Sequence, residues 1–203
     1  MRNIITTTFL SIDGVYQAPG GPEEDTSGGF AHGGWSFGYW DELMDRTLGA
    51  FLAEPFELLL GRRTYDIFAA FWPKTDKDPE VAKPFNETRK YVVSGSPQEL
   101  AWQNSTLITG DVGPQLRKLK DDDAPDLWVH GSGNLIATLL ANGLVDRMHI
   151  WTFPVLLGSG KRLFTDGTPA AGWKLTESKI ATSGVIIATY EPAGEIKKGS
   201  FAD

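Results

Sequence analysis

Cysteine is missing from all 203 residues, which removes disulfides, thiolate metal sites and cysteine nucleophiles together. Histidine is scarce: His32, His130 and His149 show no His-x-x-x-His spacing, so no metal site is expected. No apolar run nears the roughly 18 residues that a membrane span needs. The opening Met1-Arg2-Asn3-Ile4-Ile5 enters a strand pattern directly and has no signal-peptide core. An excess of positive charge is absent too, and a net charge of −7 argues against a nucleic-acid face. No internal repeat and no domain-separating linker is visible. What remains is a cytoplasmic globular chain. With 41% hydrophobic and 22% charged residues it fits one domain, 1–192, followed by a loose polar tail, 193–203.

Two junctions dominate what is present. Phe56-Glu57-Leu58-Leu59-Leu60 runs into Gly61-Arg62-Arg63-Thr64, and Leu127-Trp128-Val129-His130 runs into Gly131-Ser132-Gly133-Asn134-Leu135. Each reads as a strand delivering a glycine-started helix, whose free N–H groups favour an anion. Neither is the Gly-x-Gly-x-x-Gly fingerprint. Arg62 and Arg63 at a helix start oppose its dipole, so an anion is expected beside them. Thr64 and Ser132 either bond a phosphate oxygen or cap their own helices. Lys161 and Arg162 also sit beside a glycine turn.

The rest of the chain alternates. Strands are predicted over Asn3–Ile12, Lys90–Ser94, Thr106–Thr109 and Arg147–Phe153, and helices over Gly38–Ala53, Val112–Leu119 and Asn134–Ala141. Pro73, Pro79 and Pro84 break up the stretch between the first two helices. Trp173–Ala181 and Val185–Tyr190 flank Ser183-Gly184 as a hairpin. The pattern predicts an α/β fold with a mostly parallel central sheet, helices on both faces and a C-terminal antiparallel hairpin. In such sheets ligands bind at the carboxyl ends of the strands. The Gly/Pro-rich stretch Ala18–Gly34 is long enough to be a lid, with Phe30 and Trp35 packing over a bound ring. Trp35, Trp40 and Trp72 are candidates to line a cleft.

Gly-Arg-x-Thr after one strand, Val93-Ser94 after the next and a glycine-started helix later resemble dihydrofolate reductase. Ser11-Ile12-Asp13-Gly14, Gly143-Leu144-Val145-Asp146 and Pro154-Val155-Leu156-Leu157-Gly158-Ser159-Gly160-Lys161-Arg162-Leu163-Phe164 are more similar to another family. That is the RibD C-terminal domain family, the riboflavin-biosynthesis pyrimidine reductases, which share the dihydrofolate-reductase fold. The resemblance covers roughly Ile4 to Tyr190. It implies NADPH as hydride donor and a homodimer. It also implies that Gly61, Arg62, Arg63 and Thr64 hold phosphates, Val93 and Ser94 flank the adenosine end, and Gly131, Ser132, Gly133, Asn134 and Leu135 cradle the pyrophosphate.

The expected reaction is hydride transfer to a C=N or C=O group of a small heterocyclic substrate. Asp13 is the first candidate to orient the substrate or relay a proton, or else only the turn residue of Asp13-Gly14; Asp41 and Asp45 follow. Two other readings are a nucleotide-binding regulatory protein without turnover and a flavin-using reductase.

Overall fold

Apolar side chains at alternate positions of short strands build a sheet whose two faces are both covered. In the computed structural model, which describes residues 1–201, the strands are β1 (Ile4–Ser11), β2 (Phe56–Gly61), β3 (Lys90–Val93), β4 (Ser105–Ile108), β5 (Asp126–His130), β6 (Arg147–Phe153), β7 (Trp173–Ile180) and β8 (Ile186–Pro192). They form one sheet in the order β4-β3-β2-β5-β1-β6-β8-β7. Every pairing from β4 to β6 is parallel; β8 runs antiparallel to β6, and β7 to β8. The expected α/β architecture with its terminal hairpin is present.

Alternation sorts the core into two sides. On β5, Leu127 and Val129 face a cluster with Leu116 of α4 (Val112–Lys120) and Leu135, Ile136 and Leu139 of α5 (Gly133–Ala141). Trp128 faces the other way, toward Tyr65 of α2 (Arg62–Phe71) and Phe85 of α3 (Pro79–Glu87). On that same side, α1 (Glu42–Ala53) lays Met44 against Trp151 and Phe153 of β6.

Two differences from the sequence reading have clear causes. The first helix begins at Glu42, because the Asp41 carboxylate accepts from Met44 N at 3.2 Å and caps it there. The prolines after α2 do not prevent a helix. Pro79 starts α3, where its missing N–H costs nothing, and Ala82 and Phe85 bury the inner face despite Pro84.

The amino-terminal rim of the sheet is tied by polar contacts. Arg2, 3% exposed, ion-pairs with Glu57 and donates to the Leu119 and Pro125 carbonyls at 3.0 and 3.1 Å. Asp146 accepts from Ile4 N at 2.7 Å and from Lys120 at 2.6 Å, while Asp126 accepts from Asn3 N at 2.7 Å. No helix is long and apolar enough to cross a membrane among the described residues. Of the tail, Ala193 and Gly194 bond Gly172 backbone to backbone, and residues 202–203 lie outside the described ones.

Candidate functional site

Because β1 to β6 are parallel, their carboxyl ends share one rim. The register sets Gly61 beside Val93 and Thr7 beside His130. A cleft of about 1350 Å³ opens there, and every residue expected to touch a nucleotide lines it: Gly61, Arg62, Arg63, Thr64, Val93, Ser94, Gly131, Ser132, Gly133, Asn134 and Leu135.

The two βα junctions are joined by one hydroxyl. Ser132 Oγ accepts from Gly61 N at 3.0 Å and donates to Thr64 Oγ1 at 2.7 Å. Gly61 permits this approach, since a Cβ there would lie 3.2 Å from the Ser132 side chain. Neither hydroxyl caps its own helix: the cap of α2 is Gly61, and Ser132, at φ 63°, makes no side-chain cap bond. Gly131 has φ +53° and open space beyond its Cα. By contrast, a Cβ on Gly133 would overlap the phenol ring of Tyr16.

The expectation that paired arginines need an outside anion is corrected by the structure. Arg62 meets Asp66 at 2.7 Å within α2, and Arg63 meets Asp25 at 2.6 Å across the cleft. Internal carboxylates already offset the dipole conflict. Arg62 Nη1 nonetheless stays buried without a hydrogen-bond partner among the described residues. Four cations (Arg62, Arg63, Lys161, Arg162) and three carboxylates (Glu24, Asp25, Asp66) line the cleft.

At the β1 end the walls are Thr7, Thr8, Phe9, Phe68, Trp72 and His130. Thr7 Oγ1 accepts from Trp128 Nε1 at 2.7 Å, whereas Thr8 Oγ1, Trp72 Nε1 and His130 Nε2 are buried and have no hydrogen-bond partner among the described residues. His130 lies 4.2 Å from the Trp128 ring centroid and 5.4 Å from that of Phe85. Burial among these rings, with a smaller push from His149, lowers its pKa to about 3. The imidazole is neutral at physiological pH and offers the cleft an uncharged hydrogen-bonding group, not a cation.

The three candidate catalytic carboxylates are not brought to the cleft. Asp13 accepts from Ser11 Oγ at 2.6 Å and from Leu157 N and Gly158 N at 3.2 and 2.9 Å, and pairs with Arg162 at 3.2 Å. The Ser11 hydroxyl, then these backbone donors against the cost of burial, hold its pKa at about 2. Asp41 accepts from Thr182 N and Oγ1 at 2.8 and 2.7 Å, pinning α1 to the β7–β8 turn. Asp45 accepts from Trp40 Nε1 at 2.6 Å.

The lid aromatics also turn elsewhere. Phe30, 6% exposed, packs with Val15 and Ala18, and Trp35 donates to the Gln17 carbonyl at 2.8 Å and meets Phe153 edge-on. Neither lines the cleft. Of the three candidate tryptophans only Trp72 does; Trp40 stacks on Trp151 at 5.9 Å. Sequence reasoning missed Thr8, Tyr16 and Asp25. The signals were present: three consecutive threonines inside an apolar strand, and an acidic run, Glu23-Glu24-Asp25, within a glycine-rich loop.

Known proteins agree with this architecture. The solved structure of a protein from Shewanella sp. PV-4 assigned by name to riboflavin biosynthesis superposes with TM-score 0.73 at 21% identity, covering 95% of this chain and 99% of that one. A pyrimidine reductase-like protein from Corynebacterium diphtheriae gives 0.62 at 12% identity, with 96% and 93% covered. Dihydrofolate reductase from Enterococcus faecalis, solved with NADP(H), gives 0.59 at 11% identity, with 94% and 96% covered. In sequence, the uncharacterized protein YyaP of Bacillus subtilis is 31% identical over 194 residues, 93% of this chain and 94% of its own length. The profile of the RibD C-terminal domain matches residues 2–187. The chain belongs to the RibD C-terminal domain family.

Proposed function

We propose that the protein is an NADPH-dependent reductase of a small neutral heterocycle or carbonyl compound. The observation that carries this is the convergence of three strand ends and two clamped βα junctions on one cleft. The residues fit a dinucleotide: Gly131 leaves room for backbone approach, the start of α5 offers N–H groups, and Arg62 has a buried donor without a partner. Val93 and Ser94 line the same cleft, and in this reading they take the adenosine end. When bound, the nicotinamide supplies the hydride; the chain's part is to orient substrate and exclude water.

The substrate reading follows from the carboxylates. Glu24 accepts from Gly20 N and Gly21 N at 2.6 and 3.1 Å, Asp25 holds Arg63 and Lys161, and Asp66 holds Arg62. Among the described residues lining the cleft, none is left to clamp a protonated pterin-like ring. Trp72 Nε1 and neutral His130, both beside the Phe68 and Phe85 rings, instead suit a ring bearing carbonyl acceptors. With Asp13 occupied elsewhere, the substrate's proton comes from solvent, and neutral His130, which can accept at one ring nitrogen while donating from the other, is the group suited to relay it.

Tryptophan fluorescence titration with NADPH and NADH tests the cofactor. A 2′-phosphate meeting Arg62 adds roughly 1.5–3 kcal/mol, so NADPH should bind at least about tenfold more tightly than NADH. Equal affinities remove the arginine argument, and absence of binding removes the reductase. A panel of oxidised pterins and pyrimidinediones then tests the substrate: turnover of dihydrofolate would overturn the neutral-ring reading.

A further inference from the structure

Asp25 is a carboxylate on a glycine-rich surface stretch, yet it is only 8% exposed. It accepts from Arg63 and Lys161, each at 2.6 Å, and from the Ser27 hydroxyl at 2.6 Å. Arg63 lies in the first turn of α2, and Lys161 lies on the loop that follows β6. Two cations from remote parts of the chain thus converge on one point of the cleft wall, and such a point attracts an anion. Nearby, the Tyr16 ring covers Gly133 at the start of α5. The short stretch from Tyr16 to Ser27 therefore occupies two of the cleft's anion-seeking features. Arg63 and Lys161 keep 56% and 37% of their side chains exposed, against 9% for Asp25. The cations can follow a ligand, while the carboxylate is held down by them.

We propose that Arg63 and Lys161 form a phosphoryl subsite, and that Asp25 is a built-in counter-anion which a ligand phosphoryl group displaces. This rests on reading the cleft as a nucleotide site, and it adds Lys161 to that site and ties its occupancy to the Tyr16–Ser27 segment. A carboxylate presents two oxygens and one charge. A terminal phosphate monoester presents three oxygens and about −1.5 to −2 charges, and so outcompetes it at two cations. Once displaced, Asp25 moves into water and the segment loses its anchor. The phosphoryl group belongs either to the cofactor or to a phosphorylated substrate.

Hydrogen exchange on the wild-type protein tests the displacement, using inorganic pyrophosphate, NADPH, and ribose 5-phosphate added to the NADPH-saturated protein. Faster exchange over residues 17–29 with pyrophosphate is expected, and the same response to NADPH or only to the sugar phosphate identifies the source. Asp25→Asn should tighten pyrophosphate binding roughly tenfold by removing the competing charge. Lys161→Gln should weaken it severalfold. Asp25→Asn leaves two cations uncompensated and can unfold the protein; in that case the exchange data and Lys161→Gln decide. Failure of pyrophosphate to bind, unchanged or slower exchange with it bound, or a folded Asp25→Asn with unaltered or weaker affinity would each overturn the proposal. If pyrophosphate loosens the segment but NADPH does not bind, the subsite stands and the cofactor reading falls. If NADPH binds and neither pyrophosphate nor ribose 5-phosphate quickens the exchange, the reverse holds.

Discussion

Single atoms decide the site's tolerance to change. Gly131→Ala meets no neighbour but must hold φ +53°, so it should cost roughly 1–2 kcal/mol. Gly133→Ala meets the Tyr16 ring, which is a movable obstacle. Its cost should shrink when combined with Tyr16→Ala, and a double-mutant cycle by thermal unfolding reads that coupling. Additive losses would show that the ring does not limit Gly133. Asp13, assigned here to hold Leu157, Gly158 and Arg162 rather than to do chemistry, makes the opposite kind of prediction. Asp13→Ala should lose roughly 1–3 kcal/mol, a melting shift of about 2–4 °C for each kcal/mol. Its folded pKa of about 2 lies below the ordinary 3.8, so its contribution is complete above pH 4 and fades as pH falls toward 2. The variant's acid unfolding curve should be flatter across that window, with NADPH affinity unchanged.

At the scale of elements, most of the fold was legible. The apolar runs ending in Gly61 and Gly131 announced β2 and β5 and their helices, and strand-end logic brought Val93 and Ser94 to the same rim. What the sequence hid was the sign of proline's effect at α3 and the direction of side chains. Helical-wheel angle cannot show that Asp41 bonds Thr182, 141 positions away. Nor can composition show that Phe30 turns into a core of its own. The strands also carry a pH response. Burial holds His149 of β6 at a pKa of about 4 and His130 of β5 at about 3, both below the ordinary 6.5. The unfolded chain takes up these protons first, so stability is full above pH 6.5 and falls as pH drops toward 4. The slope should approach about 1.4 kcal/mol per pH unit for each histidine. Denaturant titrations at successive pH values check this, and His149→Gln should reduce the slope. A flat response between pH 6.5 and 4.5 would mean that both rings protonate in place.

For the whole molecule, assembly centres on the edge strand β7. This edge strand leaves Leu175 and Ile180 at 49% and 72% exposed, and long exposed apolar edges invite a partner. We propose a homodimer that covers this edge. Light scattering at micromolar concentration should then give twice 22.2 kDa, and Ile180→Lys should shift it toward the single mass. A 22.2 kDa species in the wild type would leave the edge bare.

The polar lattice beneath the sheet has a consequence for how such a chain can diversify. Arg2, Glu57, Lys120, Asp126 and Asp146 bind the strand beginnings, while the cleft lies entirely at the strand ends. Anchorage and chemistry are thus carried by opposite margins of one scaffold. Drift in the residues facing the ligand leaves the anchoring margin intact, so new specificities are reachable without first losing the fold. A library randomised at Thr8, Trp72 and His130 should retain a high fraction of folded members. One randomised at Arg2, Glu57 and Asp146 should collapse.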